Sequence, residues 1–380
     1  MSAGAQLWLD SCGTALAALA MGYTILASIA LRVRRAPEHP VSLPVPPTTI
    51  LKPLCGSEPG LYEGLRSLCE QSTAGMQIIC GVRDADDPAL HAVRRLQREF
   101  PRLDLQIAAN PTQHGASAKV SNLINMLPFA RHDYLIIADS DVRVTPDYLE
   151  RVTAPLLKEG VGIVTCLYRG CPRPGLWSLL GSLFINEWFM PSARVAALLG
   201  SRSFAFGATI ALRRETLARI GGFTAIVDQL PDDYRLGELT RRAGLRTVLS
   251  EAEVETGVDE ATLGDLVRHE LRWLRTIRTV RPLGYALSGV TFGLPAGILG
   301  AVLAGGSRAT LVMLAITALA RVMIDSAPRK SYSFLAQLCL VTLNDLLAFS
   351  LWCWSFATRR VQWRHARYRV ARDGTAHPIP

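Results

Sequence analysis

The sequence predicts an α/β protein with a mostly parallel sheet, held between apolar segments that span a membrane. Three observations predict it. Short β-branched runs alternate with helical stretches through the middle of the chain. Uncharged runs long enough to cross a bilayer lie toward both ends, while the middle has ordinary polarity. The tetrad Ala138-Asp139-Ser140-Asp141 closes the apolar run Tyr134-Leu135-Ile136-Ile137. That run reads as a buried strand, and its end is where open α/β sheets bind ligands.

The bulk numbers narrow the class. The 380 residues allow one large or two ordinary domains, and 49% are hydrophobic. The net charge is +9. No zinc finger, RNA-recognition signature or basic region accompanies it, so nucleic acid is not the expected partner. The arginines gather beside the apolar runs, as an anionic membrane surface and partly an anionic substrate require. Eight cysteines include no C-x-x-C pair and read as buried free thiols of a reducing compartment.

Residues 12–31 carry no charge, and Arg32, Arg34 and Arg35 follow at once. A cleaved signal peptide would have its positive charges on the other side. A retained anchor is therefore expected, with the N-terminus outside and the next domain in the cytoplasm. A Pro-rich linker covers 36–47. Strands are expected at Thr48–Lys52, Met76–Val82, Leu103–Ala108, Tyr134–Ile137, Gly162–Cys166, Phe206–Leu212 and Leu245–Leu249, alternating with helices. One helix, Ser117–Leu127, carries Lys119 and Asn122. Thr145 and Pro146 read as the cap and first residue of the helix after the tetrad. Neither G-x-G-x-x-G nor G-x-x-x-x-G-K-[ST] occurs, which argues against a Rossmann dehydrogenase or a P-loop enzyme. Residues 176–199, with Trp177, Phe184, Trp188 and Phe189, read either as core or as an interfacial helix.

The helix expected at Leu263–Val280 carries Arg268, Arg272, Arg275, Arg278 and Arg281 as a basic stripe. It reads as a membrane-facing stripe, or as a helix presenting Arg272 and Trp273 to a site while the later arginines meet lipid phosphates. Apolar runs at 283–304, 309–324 and 333–357 are span candidates, although Arg321, Asn344 and Asp345 interrupt them. Three crossings put the C-terminus outside, whereas Arg359, Arg360, Arg364, Arg367 and Arg369 argue for the inside. The linear domain expectation is an anchor at 1–35, a catalytic domain at 36–281, membrane segments at 282–358 and a basic tail at 359–380.

Four features line up in order: Asp84 after a strand, Asp139-Ser140-Asp141 after a strand, Asp232-Asp233 at a helix start, and an Arg-Trp pair in a helix near the membrane. This order resembles the inverting GT-A (nucleotide-diphospho-sugar transferase) glycosyltransferases, and within them the ceramide glucosyltransferase family. The resemblance runs from Thr49-Ile50-Leu51-Lys52-Pro53-Leu54 to Arg367-Tyr368-Arg369. Asn186-Glu187-Trp188, Phe206-Gly207-Ala208-Thr209 and Arg268-His269-Glu270-Leu271-Arg272-Trp273 resemble its bacterial branch associated with hopanoid synthesis. That branch implies transfer of N-acetylglucosamine from UDP-N-acetylglucosamine to bacteriohopanetetrol, at a bacterial inner membrane.

The resemblance implies roles residue by residue. Asp233 would be the base, with Asp232 raising its proton affinity. Asp139 and Asp141 would hold Mg²⁺ or Mn²⁺ on the diphosphate. Asp84 would face uridine, with Pro53 and Leu54 shaping the base pocket and Glu58 and Ser140 completing the donor side. Lys119 would meet a phosphate, and Arg272 and Trp273 would close the acceptor side. His269 stands where the family usually has Gln or Arg, and is a secondary candidate. Plainer roles stay open at this point: helix capping for Asp84, Asp232 and Asp233, a solvated surface position for Lys119, and polar loop roles for His114 and His269. Rival functions are a UDP-glucose-dependent ceramide or lipid glucosyltransferase, a polysaccharide synthase, a non-catalytic scaffold and a transporter.

Overall fold

The computed structural model describes residues 2–33, 44–71, 73, 75–201, 204–324, 331–358, 360–363, 366–371 and 374–379. Arg34, Arg35, Arg359, Arg364 and most of the Pro-rich linker lie outside them. Contacts divide the chain into two interleaved units. One comprises 1–34, 170–200 and 258–369; the other comprises 35–169, 201–257 and 370–380. Residues 170–200 and 258–281, which linear order assigns to the catalytic block, therefore belong with the apolar helices.

The second unit is built on a sheet of eight strands: β1 Thr48–Pro53, β2 Met76–Val82, β3 Asp104–Ala109, β4 Tyr134–Ala138, β5 Val142–Arg143, β6 Val161–Pro172, β7 Thr209–Arg213 and β8 Arg246–Val258. Their order is β3-β2-β1-β4-β7-β6-β8-β5. β3, β2, β1 and β4 are parallel, while β7 is antiparallel to both β4 and β6. The sheet is thus mostly parallel on one side and mixed beyond β4. β6 and β8 are much longer than the runs that signal them in sequence, because polar residues such as Arg169, Glu253 and Glu255 punctuate them.

Alternation along the strands builds two apolar layers. Ile50, Ile78, Ile136 and Ala138 pack on one face with Leu65, Leu68, Leu90, Val93, Tyr148 and Val152. Leu51, Ile79, Leu135 and Ile137 pack on the other with Val120, Leu123, Met126, Phe223 and Leu236. Both faces are covered, so β4 is buried and its carboxylate-bearing end is fixed in position. The following helix begins at Tyr148, two residues later than expected. Thr145 instead bonds Asp147 through its hydroxyl (2.6 Å) and Tyr148 N through its carbonyl (3.1 Å).

The first unit is helical. Helices span Ala3–Arg32, Leu176–Phe184, Met190–Leu198, Leu263–Val280, Gly293–Leu303, Arg308–Val322 and Phe334–Ser355. Ala3–Arg32 and Phe334–Ser355 are long and apolar enough to cross a membrane, and Pro282–Thr291 with Gly293–Leu303 forms a pair bent by 76°. The middle of the 176–199 region is core: a π-turn at Ile185–Phe189 turns Phe184 and Trp188 into a cluster with Leu271, Leu274, Tyr285, Phe292, Ala348 and Leu351, while Leu176, Leu198 and Leu199 at its ends are exposed. The arginine stripe is divided in its work. Arg268 pairs with Asp265, while Arg278 donates to the carbonyls of Ser355 and Thr358 (2.8 Å to the latter) and so caps a helix end. In the C-terminal segment Arg360–Trp363 and Ala366–Val370 pair as antiparallel strands. None of the eight cysteines is in a disulfide, but only Cys69, Cys80 and Cys166 are buried; Cys12, Cys339 and Cys353 sit on exposed faces of apolar helices.

Candidate active site

The tetrad turns at the end of β4. The Asp139 amide donates to the Ala208 carbonyl (3.3 Å), and the Val142 amide to the Asp139 carbonyl (3.3 Å). Beneath this turn lies Lys52 of β1, fully buried, whose ammonium donates to the carbonyls of Asp139 and Val142 (3.4 Å to the latter). Burial pulls that ammonium down to about 8, against Asp141 and Asp139, which hold it up. A Cβ on Gly64 would lie 2.8 Å from the Val142 carbonyl, so the helix Leu61–Cys69 packs directly on the turn.

Above the turn the carboxylates divide their partners. Asp139 Oδ1 lies 2.5 Å from Lys119 Nζ, which also reaches Asp232 Oδ2 at 3.6 Å. Burial alone would lower the Lys119 ammonium; Asp139 and Asp232 outweigh it and hold it above the usual lysine range. Lys119 is thus no solvated surface residue. The helix Ala118–Met126 aims it, capped by Ser117, whose hydroxyl accepts from Val120 N at 3.2 Å. Asp141 accepts from the Thr256 hydroxyl of β8, and Ser140 donates to Glu58.

Asp232 and Asp233 open the helix Asp232–Arg242, and Asp233 Oδ1 accepts from Tyr234 N at 2.7 Å. Burial, and next the neighbouring Asp232 carboxylate, push the Asp233 carboxyl up to about 7, with Lys119 opposing. Gly207 faces this carboxylate: a Cβ there would lie 3.2 Å from Asp233 Oδ2. Thr165 ties the Gly207 turn down, donating to the Phe206 and Thr209 carbonyls (3.0 Å each) and accepting from Phe206 N (2.7 Å).

The structure therefore brings Asp139, Asp232 and Asp233 around Lys119, with Ser140–Glu58 and Asp141–Thr256 beside them. Asp84 is exposed and accepts from Asp86 N (3.0 Å); the Ala89 amide of the next helix goes to Asp87 instead (2.8 Å). Leu54 is buried in the core, and Pro53 ends β1. His114 bonds Asn125 (2.8 Å), a polar loop role. His269, Arg272 and Trp273 belong to the other unit. There His269 Nδ1 meets Glu260 Oε1 at 2.5 Å, and its ring stands edge-on to Trp273. Sequence reading missed Lys52, Gly207, Thr256 and Glu260. Lys52 had one signal, a charge inside an otherwise apolar strand.

Among the described residues no three His, Cys, Asp or Glu converge on a metal position. Two carboxylates still suit a divalent ion that draws its other ligands from phosphates and water. Burial, and then Asp139, raise the Asp141 carboxyl above its usual range. A divalent cation relieves such a like-charge pair, so this donor set fits Mg²⁺ or Mn²⁺ chemistry.

The mixed sheet with a carboxylate pair at the end of its central parallel strand defines a GT-A-type architecture. Its fold is similar to that of a mannosyltransferase from Pyrobaculum calidifontis, solved with GDP-Man and Mn²⁺, at a TM-score of 0.53 and 20% identity over 89% of this chain and 99% of that one. The sequence profile of glycosyl transferase family 21 matches residues 13–376, and the chain belongs to that family. It is 21% identical over 232 residues to ceramide glucosyltransferase 1 of Caenorhabditis elegans, covering 61% of this chain and 50% of that protein. It is 33% identical over 118 residues to a ceramide glucosyltransferase of Komagataella phaffii, covering 29% of this chain and 23% of that protein. The chain thus spans about half the length, or less, of these relatives.

Proposed function

We propose that the protein is a membrane-bound inverting glycosyltransferase that moves N-acetylglucosamine from UDP-N-acetylglucosamine to the polyol of bacteriohopanetetrol. The observation that carries the catalytic part is Asp233, whose carboxyl is held near neutrality beside Asp232 and opposite Lys119. A base works best with a pKa near the working pH. Asp233 takes the proton of the attacking hydroxyl, which displaces UDP from the opposite face of the sugar, so an α-linked donor gives a β-glycoside. Lys119 balances charge at the diphosphate side as a point charge. Asp139 and Asp141 would hold Mg²⁺ or Mn²⁺, which supplies charge neutralisation for the leaving diphosphate. Asp84, Pro53, Leu54, Glu58 and Ser140 are assigned to the donor, and Arg272, Trp273 and His269 to the acceptor. The setting proposed is a bacterial inner membrane, with the catalytic unit on the cytoplasmic side.

The second reading is a UDP-glucose-dependent ceramide or lipid glucosyltransferase, favoured by the names of the relatives in the same family. It uses the same base and metal residues. A transfer assay on detergent-purified protein separates the two, offering each donor with bacteriohopanetetrol or ceramide, with Mg²⁺ or EDTA. An N-acetylhexosamine adduct on the hopanoid, lost in EDTA, supports the first reading. Hexose on ceramide replaces it with the second. UDP binding without product from any pair removes both.

A further inference from the structure

The apolar unit contains a helical hairpin whose direction is fixed by contacts with the N-terminal helix. A Cβ on Gly293 would lie 2.4 Å from Thr24 Oγ1, and one on Gly13 would lie 2.6 Å from Gly300 O and Ala304 N. Gly293 therefore stands level with Thr24, and Ala304 with Gly13, so Gly293–Leu303 leads away from the Arg32 end. Gly305 and Gly306, at φ of 60° and 69°, reverse the chain. Arg308–Val322 then returns: Ser28 Oγ donates to Ala320 O (3.1 Å), and Arg32 donates to Met323 O (3.2 Å). From Gly13 to Arg32 is about 28 Å of helix, close to the roughly 30 Å hydrocarbon thickness of a bilayer. The hairpin goes out and comes back, and Met323 ends on the face where Arg32 emerges.

The helix Phe334–Ser355 is preceded in sequence by Asp325, Arg329 and Lys330, charges that favour a polar start for it. Its far end is tied to the segment that leads into the outgoing helix. Arg278 caps Ser355 and Thr358, and Tyr285 bonds the Ser355 hydroxyl at 2.6 Å. Arg278 and Tyr285 both precede the outgoing helix in the chain. In the middle, Arg321, near the end of the returning helix, holds Asp345 through Nε at 2.9 Å.

We propose that Phe334–Ser355, although long and apolar enough to span, lies along the membrane surface on the Arg32 face, with an anionic lipid leaflet as its partner. Leu335, Leu343, Leu346 and Trp354 form its exposed apolar stripe, opposite buried Val341, Asn344, Asp345, Ala348 and Leu351. The stripe rests in the headgroup–acyl boundary. Charge in the sequence agrees: Arg32, the Arg329-Lys330 pair and five arginines between 359 and 369 flank the ends assigned to this face, whereas the far turn is followed by a single cation, Arg308. The Arg321–Asp345 pair then sits at the membrane rim rather than at its centre, where ionised groups are costly. The opposed sequence signals for the C-terminus are reconciled.

The test is sidedness in the full-length protein. Single cysteines Ala309→Cys, Tyr332→Cys and one appended after Pro380 are placed on a background lacking the eight native cysteines. They are labelled with a membrane-impermeant maleimide in sealed vesicles of known orientation. Tyr332→Cys and the C-terminal cysteine are expected to label from the same side, and Ala309→Cys from the other. Labelling of Tyr332→Cys and the C-terminus from opposite sides overturns the proposal. Should the cysteine-free background not fold, protease sites inserted at 309 and 331 and at the C-terminus give the same two outcomes by digestion. A spin label at Leu346→Cys adds depth: a position at the headgroup boundary supports the surface placement, and one near the bilayer centre overturns it.

Discussion

Gly207 and Asp233 face each other so closely that a single methyl on Gly207 would stand 3.2 Å from the Asp233 carboxylate oxygen. The turn that carries Gly207 also accepts the Asp139 amide through Ala208. One short loop therefore touches both the proposed base and the proposed metal ligand.

Gly207→Ala is expected to displace Asp233 by a few tenths of an ångström while leaving the fold intact. Base catalysis depends on such distances, so kcat should fall by roughly ten- to a hundredfold. Donor KM should change little and the melting temperature should hold. Steady-state kinetics beside a thermal melt checks this; unchanged kcat would detach Gly207 from the base.

The pH profile follows from the raised Asp233 carboxyl. The base works when deprotonated, so kcat/KM should rise with pH along an acid limb centred near 7. Asp232→Asn removes a neighbour that raises that carboxyl, so the limb should move to lower pH. Asp233→Asn should abolish transfer and keep nucleotide binding. For stability the sign is the reverse of the usual carboxylate. The folded state holds the Asp233 proton up to about 7 and the unfolded chain only to about 4. Asp233 therefore favours folding below that window, and this contribution is lost as pH rises through it.

Lys52→Met leaves the Asp139 and Val142 carbonyls without their buried donor. A loss of about 1–3 kcal/mol is expected for buried groups left unpaired, read by chemical denaturation. Donor binding in Mn²⁺ should weaken more than the stability loss alone accounts for, because the turn bearing both acidic side chains loosens. Equal donor affinity in a folded Lys52→Met protein would contradict this.

Gly13→Leu and Gly300→Leu place side chains where backbone atoms already lie within 3 Å. The two helices must separate, because no rotamer relieves a clash with main chain. A cost of about 1–3 kcal/mol or more is expected from such overpacking. Gly22→Leu, with nothing within 4 Å of its Cβ position, is the control and should be silent. Melting temperatures in detergent test the contrast.

Much of the sheet was legible because burial on both faces writes a strand as a short apolar run: Thr48–Pro53, Met76–Val82 and Tyr134–Ala138 fall within a residue of expectation. The carboxylates at strand and helix starts were visible as local pairs. Lys52, Gly207 and Thr256 were not, because each acts only through a partner far along the chain. The close approach of Gly13, Ala17 and Thr24 to Gly293–Leu303 was not legible either, because it too joins residues far apart in the chain.

By itself the sequence determined the alternation of strands and helices, the apolar segments and the ordered set Asp84, Asp139, Asp141 and Asp233, because periodicity and local chemistry act over a few residues. Tertiary structure alone decided that Asp139, Asp232 and Asp233 share one lysine. It also decided that 170–200 and 258–281 join the apolar helices, and that Arg278 and Arg321 hold the C-terminal helix. Those outcomes depend on which distant surfaces bury each other, and on the electrostatics that arise only once water has been excluded between them.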